Sequence, residues 1–121
     1  MLEGKRILIV DDEFMIALMA EEMVRDFGAT PVGPAGTVEE ALSYVQSGGF
    51  DAALLDVNLN GVASEAVARE LKRQNIPFAL VTGYGRVSWA DSDTLMLSKP
   101  YDGRAISRAL TELLSATGRF V

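Results

Sequence analysis

The 121-residue chain has no cysteine and no histidine. Without cysteine there is no disulfide, no thiol catalysis and no thiolate zinc site. Without histidine there is no imidazole acid–base chemistry, no imidazole metal ligand and no phosphohistidine on this chain. Positive charge is scarce: 11 Lys and Arg stand against 17 Asp and Glu, a net charge of −6, with no basic run or stripe. Nonspecific nucleic-acid binding needs cations to neutralise phosphates, so no nucleic-acid partner is expected. No apolar stretch is long enough to span a bilayer, and no membrane partner is expected. The first apolar run is too short for a signal-peptide core and ends in three acids, so the expected location is cytoplasmic. Repeats, low-complexity segments and linkers are also missing. Residues 1–121, 49% hydrophobic, therefore read as one domain with its own core and no output domain.

What is present is a set of short apolar runs that end in charge. Ala52 to Leu55 are all apolar, too few for a helix, and suit a strand buried on both faces. Asp56 ends that run, and Asn58, Asn60 and Gly61 are turn residues. Ile7-Leu8-Ile9-Val10 runs into Asp11-Asp12-Glu13, and Leu95-Met96-Leu97-Ser98 runs into Lys99-Pro100. In open α/β sheets ligands bind at the C-terminal edge of the strands. If these strands lie parallel, Asp11, Asp12, Asp56 and Lys99 converge there. Three carboxylates against one ammonium are an unfavourable balance, since like charges oppose ionisation. A hard divalent cation such as Mg²⁺ restores it.

The remaining chain fits a five-stranded parallel sheet with helices on both faces. Strand one is Arg6 to Val10. Asp12 is the expected N-cap of a helix to about Phe27, with Ile16, Ala20, Met23, Val24 and Phe27 inward. Thr30 to Gly33 is a brief strand that Pro31 and Pro34 assign to an edge. Thr37-Val38-Glu39-Glu40 has the form of a capping box and starts a helix closed by Gly48-Gly49. After Asp56 comes a loop, then a helix from about Ser64 to Gln74 with Val67 and Leu71 inward. Phe78 to Val81 is the fourth strand, ending at Thr82-Gly83. Residues 84–93 are expected to form a short or frayed helix. Thr94 to Leu97 is the fifth strand, and Asp102 caps a last helix with Ile106, Leu110, Leu113 and Leu114 on one face.

Asp11-Asp12-Glu13, Asp56, Thr82 and Lys99-Pro100, each after a strand and in this order, resemble the receiver domain of bacterial two-component response regulators. The resemblance covers essentially the whole chain. It implies a doubly wound, flavodoxin-like (β/α)5 fold with strand order 2-1-3-4-5. It also implies that Asp56 is the phosphoacceptor, phosphorylated by a histidine kinase in an Mg²⁺-dependent reaction. Asp12 binds the metal directly, Asp11 mainly through water, Asp56 is a ligand, and the backbone carbonyl of Asn58 completes the set. Lys99 pairs with Asp56 and then with a phosphoryl oxygen, and Thr82 hydrogen-bonds the phosphoryl group. The Lys99–Pro100 bond is expected to be cis. The domain assists its own phosphorylation and dephosphorylation but is not otherwise an enzyme.

This chain departs from the pattern at Met96, where many receivers carry Tyr or Phe, and Tyr84 and Tyr101 are the candidate substitutes. With Thr82-Gly83-Tyr84-Gly85 it resembles variant, often stand-alone receivers paired with HWE-type histidine kinases. The implied function is that of a single-domain response regulator acting on a separate downstream protein. Residues 84–93 and the last helix are its candidate contact surfaces. Trp89 is either a packing anchor or an exposed partner contact. The alternative is a phosphorylation-independent pseudo-receiver that serves as a protein-interaction module. A phosphatase with an aspartyl nucleophile lacks space for a cap domain. A flavin module lacks a phosphate cradle after strand one.

Overall fold

The computed structural model describes residues 2–83, 85 and 87–119, the last four as backbone only. Its centre is three wholly parallel strands, β1 (Arg6–Val10), β3 (Ala52–Asp56) and β6 (Phe78–Thr82). Every residue of β3 and β6 is buried, because helices cover both faces of the sheet. Alternation along β1 divides the core. Ile7 and Ile9 join one cluster, with Leu54, Val81 and the helices α1 (Phe14–Asp26) and α4 (Gly103–Arg119). Leu8 and Val10 join the other, with Leu55, Leu80 and the helices α2 (Val38–Ser47) and α3 (Glu65–Arg73). The outer strands are β2 (Thr30–Ala35) and β7 (Leu95–Ser98), in the order β2-β1-β3-β6-β7. Counting only strands of this sheet, that is the expected 2-1-3-4-5.

Several local signals act as read. Thr37 Oγ1 accepts from Glu40 N at 3.1 Å, while Glu40 Oε1 reaches back to Gly36 N at 2.8 Å, one residue before the reciprocal donor of a capping box. Ala105 N donates to Asp102 Oδ1 at 2.9 Å and starts α4. β2 is an edge strand, and its register with β1 breaks between Leu8 and Val10, beside the cis Gly33–Pro34 bond. The Lys99–Pro100 bond is cis. Among the described residues no helix is long and apolar enough to cross a membrane.

Three expectations fail. Asp12 does not cap α1: Glu13 occupies the N-cap position, with no side-chain capping bond. The Asp12 carboxylate is engaged elsewhere, accepting from Asn60 N at 3.0 Å across 48 residues. The loop after Asp56 is a small hairpin, β4 (Asn58–Leu59) against β5 (Val62–Ala63). Its turn residues Asn60 and Gly61 both have φ in the left-handed region, 54° and 83°, as an Asn-Gly hairpin turn requires. Finally, the described residues of 84–93 form turns and bends, not a helix. Gly85, Ser88 and the Asp91-Ser92-Asp93 run resist helix formation. Trp89 acts as the packing anchor, half-buried against the cluster that includes Met96.

Neighbouring residues on α3 separate the stabilising forces. Leu71 is fully buried, while Lys72 makes an exposed ion pair with Asp91. Leu71→Ala should lower the urea-unfolding free energy by about 2–5 kcal/mol. Lys72→Ala should cost at most about 1 kcal/mol. Equal losses would show that the ion pair, not burial, secures this face.

Candidate functional site

The sheet register brings the site together. Val10 pairs with Leu55, so Asp11 and Asp56 follow at the same level of β1 and β3. Asp56 pairs with Val81, Thr82 with Ser98, and Lys99 N then donates to Thr82 O at 2.8 Å. The ends of four parallel strands thus place Asp11, Asp56, Thr82 and Lys99 along one edge.

Lys99 Nζ lies 2.9 Å from Asp56 Oδ2, 2.8 Å from Glu13 Oε1 and 3.4 Å from Asp11 Oδ2. Asp12 completes the group: one carboxylate oxygen from each of Asp11, Asp12, Glu13 and Asp56 falls within 4.8 Å of the others. The backbone restrains these acids. Asp11 Oδ1 accepts from Glu13 N at 2.9 Å, and Asp56 Oδ1 from Asn58 N at 3.2 Å. Asn58 thus stands beside the cluster, and its side-chain oxygen accepts from Gly61 N at 2.8 Å to close the hairpin turn. Thr82 is buried at the end of β6.

Two contributors carry no role in the sequence reading. Glu13 is one of the three consecutive acids, but only the fold shows its partner, Lys99, 86 positions away. Ser64 reads as the start of α3, yet its hydroxyl makes no capping bond. It is fully buried and donates to the carbonyl of Asp56 at 2.6 Å, fastening the base of α3 to the end of β3. A serine directly before a helix is the only sequence signal, and it suggests a hydroxyl that accepts from the helix, not one that donates to Asp56.

Of the two proposed substitutes for an aromatic at position 96, Tyr84 lies outside the described residues. Tyr101 is half-buried against the α1–α4 core. Burial, and then the charge of Asp11, push its phenol up to about 12, with Lys99 opposing. Met96 itself is half-buried core packing.

Burial and neighbouring charge both act on the ionisable groups of the site. Burial pushes the Asp11 carboxyl up to about 6, against the pull of the Glu13 amide, with the charge of Asp56 adding to it and Lys99 opposing. Burial also acts to lower the pKa of Lys99, but hydrogen bonds to Glu13 and Asp56 and the charges of Asp11 and Asp56 leave it raised. Four carboxylates facing one ammonium form an oxygen-rich, anionic donor set that suits a hard divalent cation.

A raised carboxyl pKa favours the folded state at low pH and loses that contribution as pH rises through the folded value. Asp11 therefore weakens the metal-free protein progressively between its ordinary carboxyl range at about pH 4 and about pH 6, and by a constant amount above that. Asp11→Asn should melt at least about 4 °C higher than the parent at about pH 8, and at nearly the same temperature at about pH 4. Thermal unfolding in a chelator checks this, and a gain that did not depend on pH would contradict it.

Comparison with known proteins agrees with this geometry. The family model for the response regulator receiver domain matches residues 7–111. The solution structure of SdrG from Sphingomonas melonis Fr1 is 44% identical, with a TM-score of 0.80, covering 91% of this chain and 96% of that one. The BeF3-activated conformation of SdrG from Pseudomonas melonis Fr1 is 42% identical, with a TM-score of 0.76, covering 94% and 99%. The transcriptional regulatory protein TcrA of Mycobacterium tuberculosis is 36% identical over 88 residues, 70% of this chain and 34% of TcrA. The chain thus spans about a third of that curated relative's length. Acids and lysine at the ends of parallel strands, the 2-1-3-4-5 sheet and the family match lead to one conclusion: the chain belongs to the response regulator receiver domain family.

Proposed function

We propose that this receiver accepts a phosphoryl group on Asp56 from a cytoplasmic histidine kinase and then acts on a separate downstream protein. The observation that carries the reading is the 2.9 Å contact between Lys99 Nζ and Asp56 Oδ2 inside a ring of further acids. We assign the donor to the HWE type, on the likeness of Thr82-Gly83 and Met96 to the receivers that such kinases serve.

The reaction needs little from the chain beyond placement. A carboxylate nucleophile has no proton to lose, so the reaction asks for no general base and a chain without histidine is not handicapped. A carboxylate oxygen of Asp56 attacks phosphorus, the new O–P bond forms and the N–P bond to the kinase imidazole breaks. The bonding electron pair returns to that imidazole, which takes up a proton. Asp11, Asp12 and Asp56, with the carbonyl of Asn58, would hold Mg²⁺, which when bound neutralises charge between the carboxylates and the phosphoryl oxygens. Lys99 stays beside Asp56 and supplies positive charge to the transferred group. Thr82, at the neighbouring strand end, offers its hydroxyl to the same oxygens. Ser64 and Asn58 hold the Asp56 main chain and side chain in place throughout.

The pseudo-receiver alternative has one observation in its favour. Met96 packs against the core, so no aromatic at that position is available to turn with Thr82. In that case beryllofluoride, a mimic of the acyl phosphate, would leave the amide spectrum and partner affinity unchanged.

Incubation with Mg²⁺ and acetyl phosphate, and with the cognate kinase, should add one phosphoryl group detectable by intact mass. The addition should vanish in Asp56→Ala and in chelator. It should slow about a hundredfold in Lys99→Ala. A phosphoryl group that persisted in Asp56→Ala would sink the proposal.

A further inference from the structure

An ammonium group has three N–H donors. In this structure Lys99 Nζ has three carboxylate neighbours, Glu13 and Asp56 at hydrogen-bond distance and Asp11 slightly farther. Two of the three donors are taken by hydrogen bonds to Glu13 and Asp56, and Asp11 Oδ2 faces the ammonium at 3.4 Å. A phosphoryl oxygen arriving on Asp56 therefore competes for an ammonium already ringed by three carboxylates.

The three partners are not equally replaceable. Asp56 carries the incoming group. Asp11 is buried, and its other oxygen is held by the Glu13 amide. The Glu13 side chain is 60% exposed, with its backbone fixed at the start of α1 by Ala17 N donating to Glu13 O at 2.9 Å. It is the one carboxylate that can turn into water without leaving a buried group unpaired. An ion pair this exposed contributes little to stability, so exchange is cheap.

Resting on the reading of Asp56 as phosphoacceptor, we propose that Glu13 is a positioning residue. It holds Lys99 at the mouth of the resting site and gives up that ammonium to the phosphoryl oxygen. Glu13 is then a displaceable counter-ion, distinct in role from the acids that face the metal. Its hold on Lys99 opposes phosphorylation by the strength of one exposed ion pair.

The test uses beryllofluoride binding in saturating Mg²⁺, followed by NMR, for the parent, Glu13→Gln and Glu13→Asp. Glu13→Gln should bind the mimic about three- to fivefold tighter, the size of an exposed pair. Before the mimic is added, the Lys99 side-chain ¹⁵N signal should already be shifted, while affinity for Mg²⁺ alone changes less than about twofold. Glu13→Asp keeps the charge but is one methylene too short, so it should match Gln in both the Lys99 signal and mimic affinity. Unchanged or weaker mimic binding in Glu13→Gln overturns the proposal. So does parent-like behaviour of Glu13→Asp, which would make the effect one of charge without contact. Loss of Mg²⁺ affinity by about fivefold or more overturns it by making Glu13 a metal ligand. Failure of the parent to take up the mimic would instead bring down the phosphoacceptor reading and this one with it.

Discussion

The site is an arrangement of like charges that repel one another, so the force holding it together has to come from elsewhere. Asp11, Asp12, Glu13 and Asp56 gather around a single ammonium, and burial, with the charge of Asp56 adding to it, raises the Asp11 pKa. The restraint is the parallel ladder beneath them. β1, β3 and β6 are apolar on both sides and closed over by four helices. Burial of those strands is worth far more than the repulsion at their ends. The register of β1 with β3, and of β3 with β6, brings the strand-end acids to one level. Moving Asp56 away from Lys99 would require slipping a fully buried strand. The core thus supplies the rigidity that a reactive carboxylate needs, and the acids need only occupy the positions the strands give them.

This division explains which features were legible in the amino-acid sequence. Short, mainly apolar runs that end in charge are a local pattern, and Ile7–Val10, Ala52–Leu55 and Leu95–Ser98 all became strands of the central sheet. Thr37 and Asp102 were legible as helix starts because capping involves residues only three apart. The failures share a cause. Asp12 looked like a cap, but its partner is Asn60, and no local rule ranks a contact 48 residues away above one nearby. Glu13 and Ser64 were overlooked for the same reason: their partners, Lys99 and the Asp56 carbonyl, are neighbours only after folding. Between β6 and β7 a short or frayed helix was expected, but Gly85, Ser88 and Asp91 to Asp93 disfavour one, and the described residues there form turns and bends. The local chemistry prevailed.

The hairpin after Asp56 ties these observations together. Leu59 anchors it in the core, the Asn60–Gly61 turn reverses it, and its tip reaches the Asp12 carboxylate. One end of the segment is fixed by Asn58 N on Asp56 and the other by Ser64 on the Asp56 carbonyl. Asp12 and Asp56, from different strands, are thus joined through backbone amides of one short element. Such main-chain donors orient carboxylates without adding charge, which suits a site already crowded with anions.

The outer strands of the sheet have a separate consequence. A parallel sheet with an open rim invites another copy to add its own strand and grow into an aggregate. Here β2 contains Pro31 and Pro34, neither of which has an N–H to offer, and β7 is only four residues long before Pro100. Both rims are therefore poor templates for polymerisation. Any self-association would have to run through helices and loops, since strand addition is disfavoured at both rims.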